Sequence, residues 1–147
     1  MWSTKQINFA FHHLQNKFFT FIYADKNSLI YLRDYLLDEG HSVFLNPLKS
    51  DSGKTVFSQV DSIILRNFVS HSLSKNYSSP IEKILVDLFL ESERLNIIDL
   101  SEYSRVFEYL IKNYRLNISS LLDYAERRKN LTKIKQFLIK YTNPTFL

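Results

Sequence analysis

The sequence predicts an α+β protein: a small mixed β-sheet with flanking helices in the N-terminal half, and a helical, bundle-like C-terminal half packed against it. Three observations carry this. Two short apolar, β-prone runs, "KFFTFIY" (17–23) and "HSVFL" (41–45), bracket a stretch with helical periodicity. Beyond residue 79 only the helical period remains. Between the two patterns lies "HSLSKNYSSP" (71–80), polar and closed by a proline, the best internal boundary. At 147 residues the chain is expected to be one domain, 1–147, with a mixed α/β part over 1–70 and a helical part over 79–141.

The elements follow in order. Thr4 to Leu14 reads as a helix capped by Ser3. Trp2, just ahead of it, is expected to be buried. In "KFFTFIY", Phe19, Phe21 and Tyr23 line one face and Phe18 and Ile22 the other, the mark of a strand covered on both sides. Asp25 caps a helix that runs to about Glu39 and is expected to bury Leu29, Leu32, Leu36 and Leu37; Gly40 stops it. Strand, helix and strand with a short return imply a right-handed parallel crossover. Asn46 to Lys54 is turn-rich. "TVFSQ" and "DSIILRNF" then read as a strand pair, or as one strand beside an irregular segment.

In the second half, Ser79-Pro80-Ile81-Glu82 is a strong helix start, with a cap at Ser79, proline at the first helical position and a carboxylate placed to reach back. That helix is expected to bury Ile81, Ile84, Leu85, Leu88 and Phe89. A second, with Asp99 and Glu102 at capping-box spacing, carries the stripe Tyr103, Val106, Phe107, Leu110, Ile111 and Tyr114. A third, near 118–128, uses Ile118, Leu121, Leu122 and Ala125. A fourth, near 131–141, uses Leu131, Ile134, Phe137, Leu138 and Tyr141.

Composition narrows the function classes. Twelve Phe and nine Tyr against two Gly and three Pro exclude a disordered or low-complexity chain. The absence of cysteine removes disulfides, thiolate zinc sites and thiol nucleophiles, and fits a reducing cytoplasm. No apolar run reaches transmembrane length and no secretory signal opens the chain, so a cytoplasmic location away from membranes is expected. The net charge of +4 is uneven: residues 101–147 hold nine Lys/Arg against four acids. That basic third invites a polyanion partner.

Catalytic constellations are missing. "DSGKT" (51–55) lacks the glycine a phosphate loop needs five positions before Gly53, where Leu48 stands. His12, His13, His41 and His71 form no metal-ligand spacing, and no Asp/Glu-x-Lys triplet or Gly-x-Ser-x-Gly elbow occurs. Glu91 and Glu93 read as solvent-facing residues of a helix end. A non-enzymatic protein without cofactor or metal is expected. The one concentrated charge feature is "YAERRKN" (124–130). Arg127, Arg128 and Lys129, extended by Lys133, are the candidate residues for meeting nucleic acid or another partner. The same bases also suit a helix C-terminus, where positive charge complements the dipole.

In order along residues 1–138, "MWSTKQIN", the phenylalanine-rich strand, "VFLNP", "SIILRNFVS", "IEKILVDLF" and "EYSRVFEYLIKNYRLNISSLLDYAERR" resemble the AbiEi-like antitoxin family of bacterial abortive-infection, type IV toxin–antitoxin loci. The similarity is closest to a branch known only as a domain of unknown function. There a helix of the pattern P-x-E-K-x-L-V-D-L, here Pro80 to Leu88, leads to a Y-A-x-R-R helix, here Tyr124 to Arg128. The resemblance implies an antitoxin-like regulatory or interaction module of a phage-defence system, opposing a nucleotidyltransferase-type toxin at least partly through transcription. Members carry a DNA-binding winged helix ahead of the tryptophan segment. Met1 stands where that domain should end, so the chain is expected to be the C-terminal antitoxin-type domain alone. The alternative is a sequence-indifferent nucleic-acid-binding module using the basic C-terminal helices.

Overall fold

A computed structural model describes residues 1–11, 17–47, 61–67, 80–95 and 98–141. The fold is α+β, and the chain divides into two compact units, Met1–Phe9 with Leu14–Val69 and Ala10–His13 with Ser70–Leu147. The division at Val69 falls just ahead of the polar stretch expected to be the boundary.

The first unit is a four-stranded sheet carrying one long helix. Strand β1 (Trp2–Ser3) leads into a 3-10 helix (Thr4–Ala10), then β2 (Phe19–Ala24), α1 (Lys26–Asp38), β3 (Ser42–Leu45) and β4 (Ser62–Asn67). The strand order is β1-β2-β4-β3. β1 runs antiparallel to β2, Trp2 facing Phe21 and Ser3 facing Thr20. β4 lies between β2 and β3 and is parallel to both, with Ser62 level with Phe19 on one side and Ser42 on the other. Strand, helix and strand thus form the expected parallel crossover, but the later β4 enters between its two strands. "TVFSQ", "DSGKT", Ser79 and the histidines at 12, 13 and 71 lie outside the described residues.

Two local differences from the sequence expectation have physical causes. The first helix is 3-10 rather than α because its inward residues Thr4, Ile7 and Ala10 repeat every third position, the period of a 3-10 helix. Thr4 Oγ1 also accepts from the Phe19 amide at 2.9 Å, tying the helix start to β2. Ser3 still caps it, its hydroxyl accepting from Lys5 N at 3.2 Å while Gln6 Oε1 accepts from Ser3 N at 2.7 Å. In α1, Leu29 is buried as expected, but Leu32 and Leu36 are half-buried and Leu37 is exposed. The helix packs on β3 and β4 along a narrow seam rather than a broad face.

Asp25 caps α1, accepting from Ser28 N at 3.0 Å. Gly40 ends it with φ +88°, the left-handed conformation in which glycine bears no side-chain clash. His41 N donates to Leu36 O and Gly40 N to Leu37 O, both at 3.0 Å, closing a Schellman motif. Trp2 is 1% exposed, as expected; its ring stacks on Phe21 at 4.4 Å and its indole N–H donates to Tyr23 Oη at 3.3 Å.

The second unit is helical: α2 (Ile81–Leu95), α3 (Leu100–Asn113), α4 (Ile118–Arg127) and α5 (Leu131–Tyr141). α2 is buried on every face from Lys83 to Ser92, where the sequence suggested only an apolar stripe. It packs along α4, and α5 packs against both α3 and α4. Phe89, Tyr103 and Phe137 meet edge-on with centroids 5.2–5.5 Å apart, joining α2, α3 and α5. Tyr103 Oη donates to Leu85 O at 2.8 Å, so this buried phenol keeps a partner. Asp99 caps α3 through Glu102 N at 2.7 Å. The expected stripe holds at Tyr103, Val106, Phe107 and Leu110, then fails: Ile111 is half-buried and Tyr114, the extended C-cap, is exposed. Among the described residues no helix is long and apolar enough to cross a membrane.

Candidate functional site

The two helices that carry the sequence motifs meet at a closed polar cluster. Lys83 and Asp87 stand one turn apart on α2, and Tyr124 and Arg128 one turn apart at the end of α4, so each pair projects from one face of its helix. Lys83 Nζ lies 2.8 Å from Asp87 Oδ2. Tyr124 Oη donates to Asp87 Oδ1 at 2.8 Å, and Arg128 Nη1 sits 3.5 Å from that same oxygen. The lysine also lies 5.5 Å from the centre of the Tyr124 ring. All four are buried, with Asp87 at 0% exposure.

One carboxylate therefore serves two cations and a phenol. Burial, and then the charge of Asp87, push the Tyr124 hydroxyl well above the usual phenol range, so it stays a neutral donor. The far end of α4 is held from α2 as well. Glu82 Oε1 accepts from Asn117 N at 2.8 Å, and Asn117 Oδ1 caps the helix through Ser120 N at 3.0 Å. Glu82, Lys83 and Asp87 of the first motif thus clamp α4 at its start and finish. The cluster joins α2 to α4. One turn beyond, Glu91 is fully buried with its Oε1 3.5 Å from Arg94 Nη1. This corrects the reading of Glu91 as solvent-facing; Glu93 alone of the two is exposed.

The four candidate binding residues do not share one surface role. Arg127 and Lys129 are exposed. Arg128, which the sequence grouped with them, is only 7% exposed and turned onto Asp87, because the helix rotates it a full 100° from Arg127. Lys133 is exposed but lies 3.5 Å from Glu93 Oε2. Lys129 takes φ +58° as the chain leaves α4, with Asn130 N donating to Ala125 O and Lys129 N to Glu126 O, both at 2.9 Å.

The sequence missed a surface on α1. Tyr31 is 78% exposed and Tyr35 62%, one turn apart on one ridge; Ile30 and Leu37, two turns apart, form a separate exposed pair, with Asp34 and Asp38 between the two strips. Asp34, Asp38 and Glu39 are exposed alongside. The signal was present in the helix sequence, which is apolar around more of its circumference than one buried seam requires. Near β1, an open groove of about 360 Å³ is lined by Met1, Trp2, Ser3, Lys5, Gln6 and Thr20. Among the described residues no group of three His, Cys, Asp or Glu side chains is placed to hold a metal ion.

A family model described as a family of unknown function, DUF6577, matches residues 1–144. No curated protein and no solved structure matches the chain.

Proposed function

The chain belongs to the DUF6577 family, and from that premise we propose that it is an antitoxin-like interaction module of a bacterial phage-defence system, acting in the cytoplasm against a nucleotidyltransferase-type toxin. The resemblance along residues 1–138 suggests the system. The observation that carries a protein-contact role is the exposed α1 ridge of Tyr31 and Tyr35. Two large aromatic side chains this exposed and one turn apart are more than the scattered singles an ordinary surface shows. Tyrosine is also a favoured anchor of interfaces. The acids beside them suit a partner whose nucleotide-handling surface is basic.

The test is co-expression with a nucleotidyltransferase encoded in the adjacent reading frame. Growth arrest by that enzyme alone, relieved by this chain, supports the reading. Relief that is lost in Tyr31→Ala/Tyr35→Ala at equal protein level assigns the effect to α1. An adjacent toxin that this chain fails to neutralise overturns it.

The second reading, nucleic-acid binding without sequence preference, is favoured by the exposure of Arg127 and Lys129. With Arg128 committed to Asp87 and Lys133 beside Glu93, two phosphate contacts remain there. Log affinity for duplex would then fall with a slope of about −2 against log salt.

A further inference from the structure

α3 ends at Asn113, and residues 114–117 turn the chain into α4. Two aromatic rings stand at this corner: Tyr109, 40% exposed, and Tyr114, 44% exposed, with centroids 6.4 Å apart and planes inclined at 45°. Two exposed cations, Lys112 and Arg115, sit within three residues of them. Neither cation forms an ion pair among the described residues, although Glu108 stands one turn before Lys112 on α3. Arg105, further back, is 3.7 Å from Glu102.

The corner is fixed although it has no regular secondary structure. Tyr114 N donates to Leu110 O at 2.9 Å and Leu116 N to Tyr114 O at 3.1 Å. Asn113 Nδ2 donates to Tyr109 O at 2.9 Å. Asn117 N is held by the Glu82 carboxylate of α2. Backbone anchored on both sides of Tyr114 lowers the ordering cost of placing an aromatic side chain against a ligand.

We propose that the α3–α4 corner binds single-stranded nucleic acid, unpaired bases stacking on Tyr109 and Tyr114 while Lys112 and Arg115 meet flanking phosphates. A phenol face meets a base face only where the base is unpaired, whereas a duplex hides its base faces inside the stack. Charge suits a strand of phosphates as well: Lys112 and Arg115 are exposed beside the rings. The corner lies at the opposite end of α4 from Arg127 and Lys129, about 15 Å away at 1.5 Å per residue. It is therefore a separate site and independent of the toxin-opposing role.

The test is fluorescence anisotropy of a labelled twelve-nucleotide thymidine strand with the full chain at several salt concentrations. For two phosphate contacts on a single strand, log affinity is expected to fall with a slope of about −1.4 against log salt. Tyr109→Ala and Tyr114→Ala are each expected to weaken binding about 10-fold, with Phe at either position retaining it. Lys112→Ala/Arg115→Ala is expected to flatten the slope. A duplex of equal length is expected to compete at least about 10-fold less well. Far-ultraviolet circular dichroism checks that each variant is folded, which exposed side chains should permit. No binding at low salt, unchanged binding in both tyrosine variants, or equal competition by duplex would each overturn the proposal. Loss of binding only in Arg127→Ala/Lys129→Ala would also overturn it, assigning the anion contact to the other end of α4.

Discussion

Arg128 Nη1 lies 3.5 Å from Asp87 Oδ1, and neither side chain has more than 4% of its surface in solvent. Two of the most recognisable motif positions are thus spent on each other. Removing the carboxylate would take from Lys83 and Arg128, both buried, the counter-charge they share. Asp87→Ala is expected to destabilise the chain by about 3–5 kcal/mol in urea unfolding, as for other buried pairs deprived of one partner. The combined Lys83→Met/Asp87→Leu/Arg128→Leu variant should recover much of that loss, because an apolar replacement avoids desolvating charge.

Tyr124→Phe isolates one contact of the cluster. It removes the hydrogen bond to Asp87 Oδ1 while keeping the ring beside Lys83. The expected loss is about 1–3 kcal/mol by the same measurement, smaller than for Asp87→Ala because the carboxylate keeps both cations.

Trp2→Ala is expected to cost about 3–5 kcal/mol, the range for large core truncations. It would remove both the stack on Phe21 and the bond to Tyr23 Oη. Thermal unfolding followed by circular dichroism measures it, and a change near zero would contradict the burial.

Stability should fall in acid through the helix caps. Ser101 Oγ at 2.6 Å, and then Glu102 N at 2.7 Å, hold the Asp99 carboxyl below the usual carboxylate range. Ser28 does the same for Asp25 through its hydroxyl and amide. Each carboxyl binds its proton more weakly folded than unfolded. Its stabilising contribution is therefore complete above the ordinary carboxylate value near 3.8 and lost as pH falls below it through the lowered folded value. Asp99→Asn, which preserves the cap but not the charge, should show a shallower acid limb in pH-dependent unfolding.

Lys129→Gly is expected to leave stability unchanged or raise it by up to about 1 kcal/mol. Lys129 occupies φ +58°, where a side chain is strained and glycine is not. A loss above about 1 kcal/mol in chemical unfolding would mean that the lysine side chain itself supports the fold.

How much was legible in the sequence varied from element to element. The capping residues Asp25 and Asp99 and the glycine stop at Gly40 were readable because their chemistry is local. The stripe from Tyr103 to Leu110 was readable from its period. Tyr114 was misplaced because the apolar spacing continues past Asn113, where the helix has already ended. The central place of β4 depends on pairing between residues some forty positions apart, such as Phe19 with Ser62, which no local pattern records. Lys83, Asp87 and Glu91 were hidden for another reason. Charges at helical spacing ordinarily mark a solvated face, but here Ile84 to Val86 and Leu88 to Leu90 surround them with apolar neighbours. That continuous apolar context was the available sign that α2 has no solvated face.

The stacking of Trp2 on Phe21 makes the chain's single tryptophan a spectroscopic label for the first unit. Its emission follows the loosening of the sheet, while far-ultraviolet ellipticity is weighted toward α2 to α5, which hold most of the helix. Coincident midpoints from the two signals would mean that sheet and helices melt in one step, and separated midpoints would give each unit its own stability. The native protein thus carries two optical channels for its halves without an added probe.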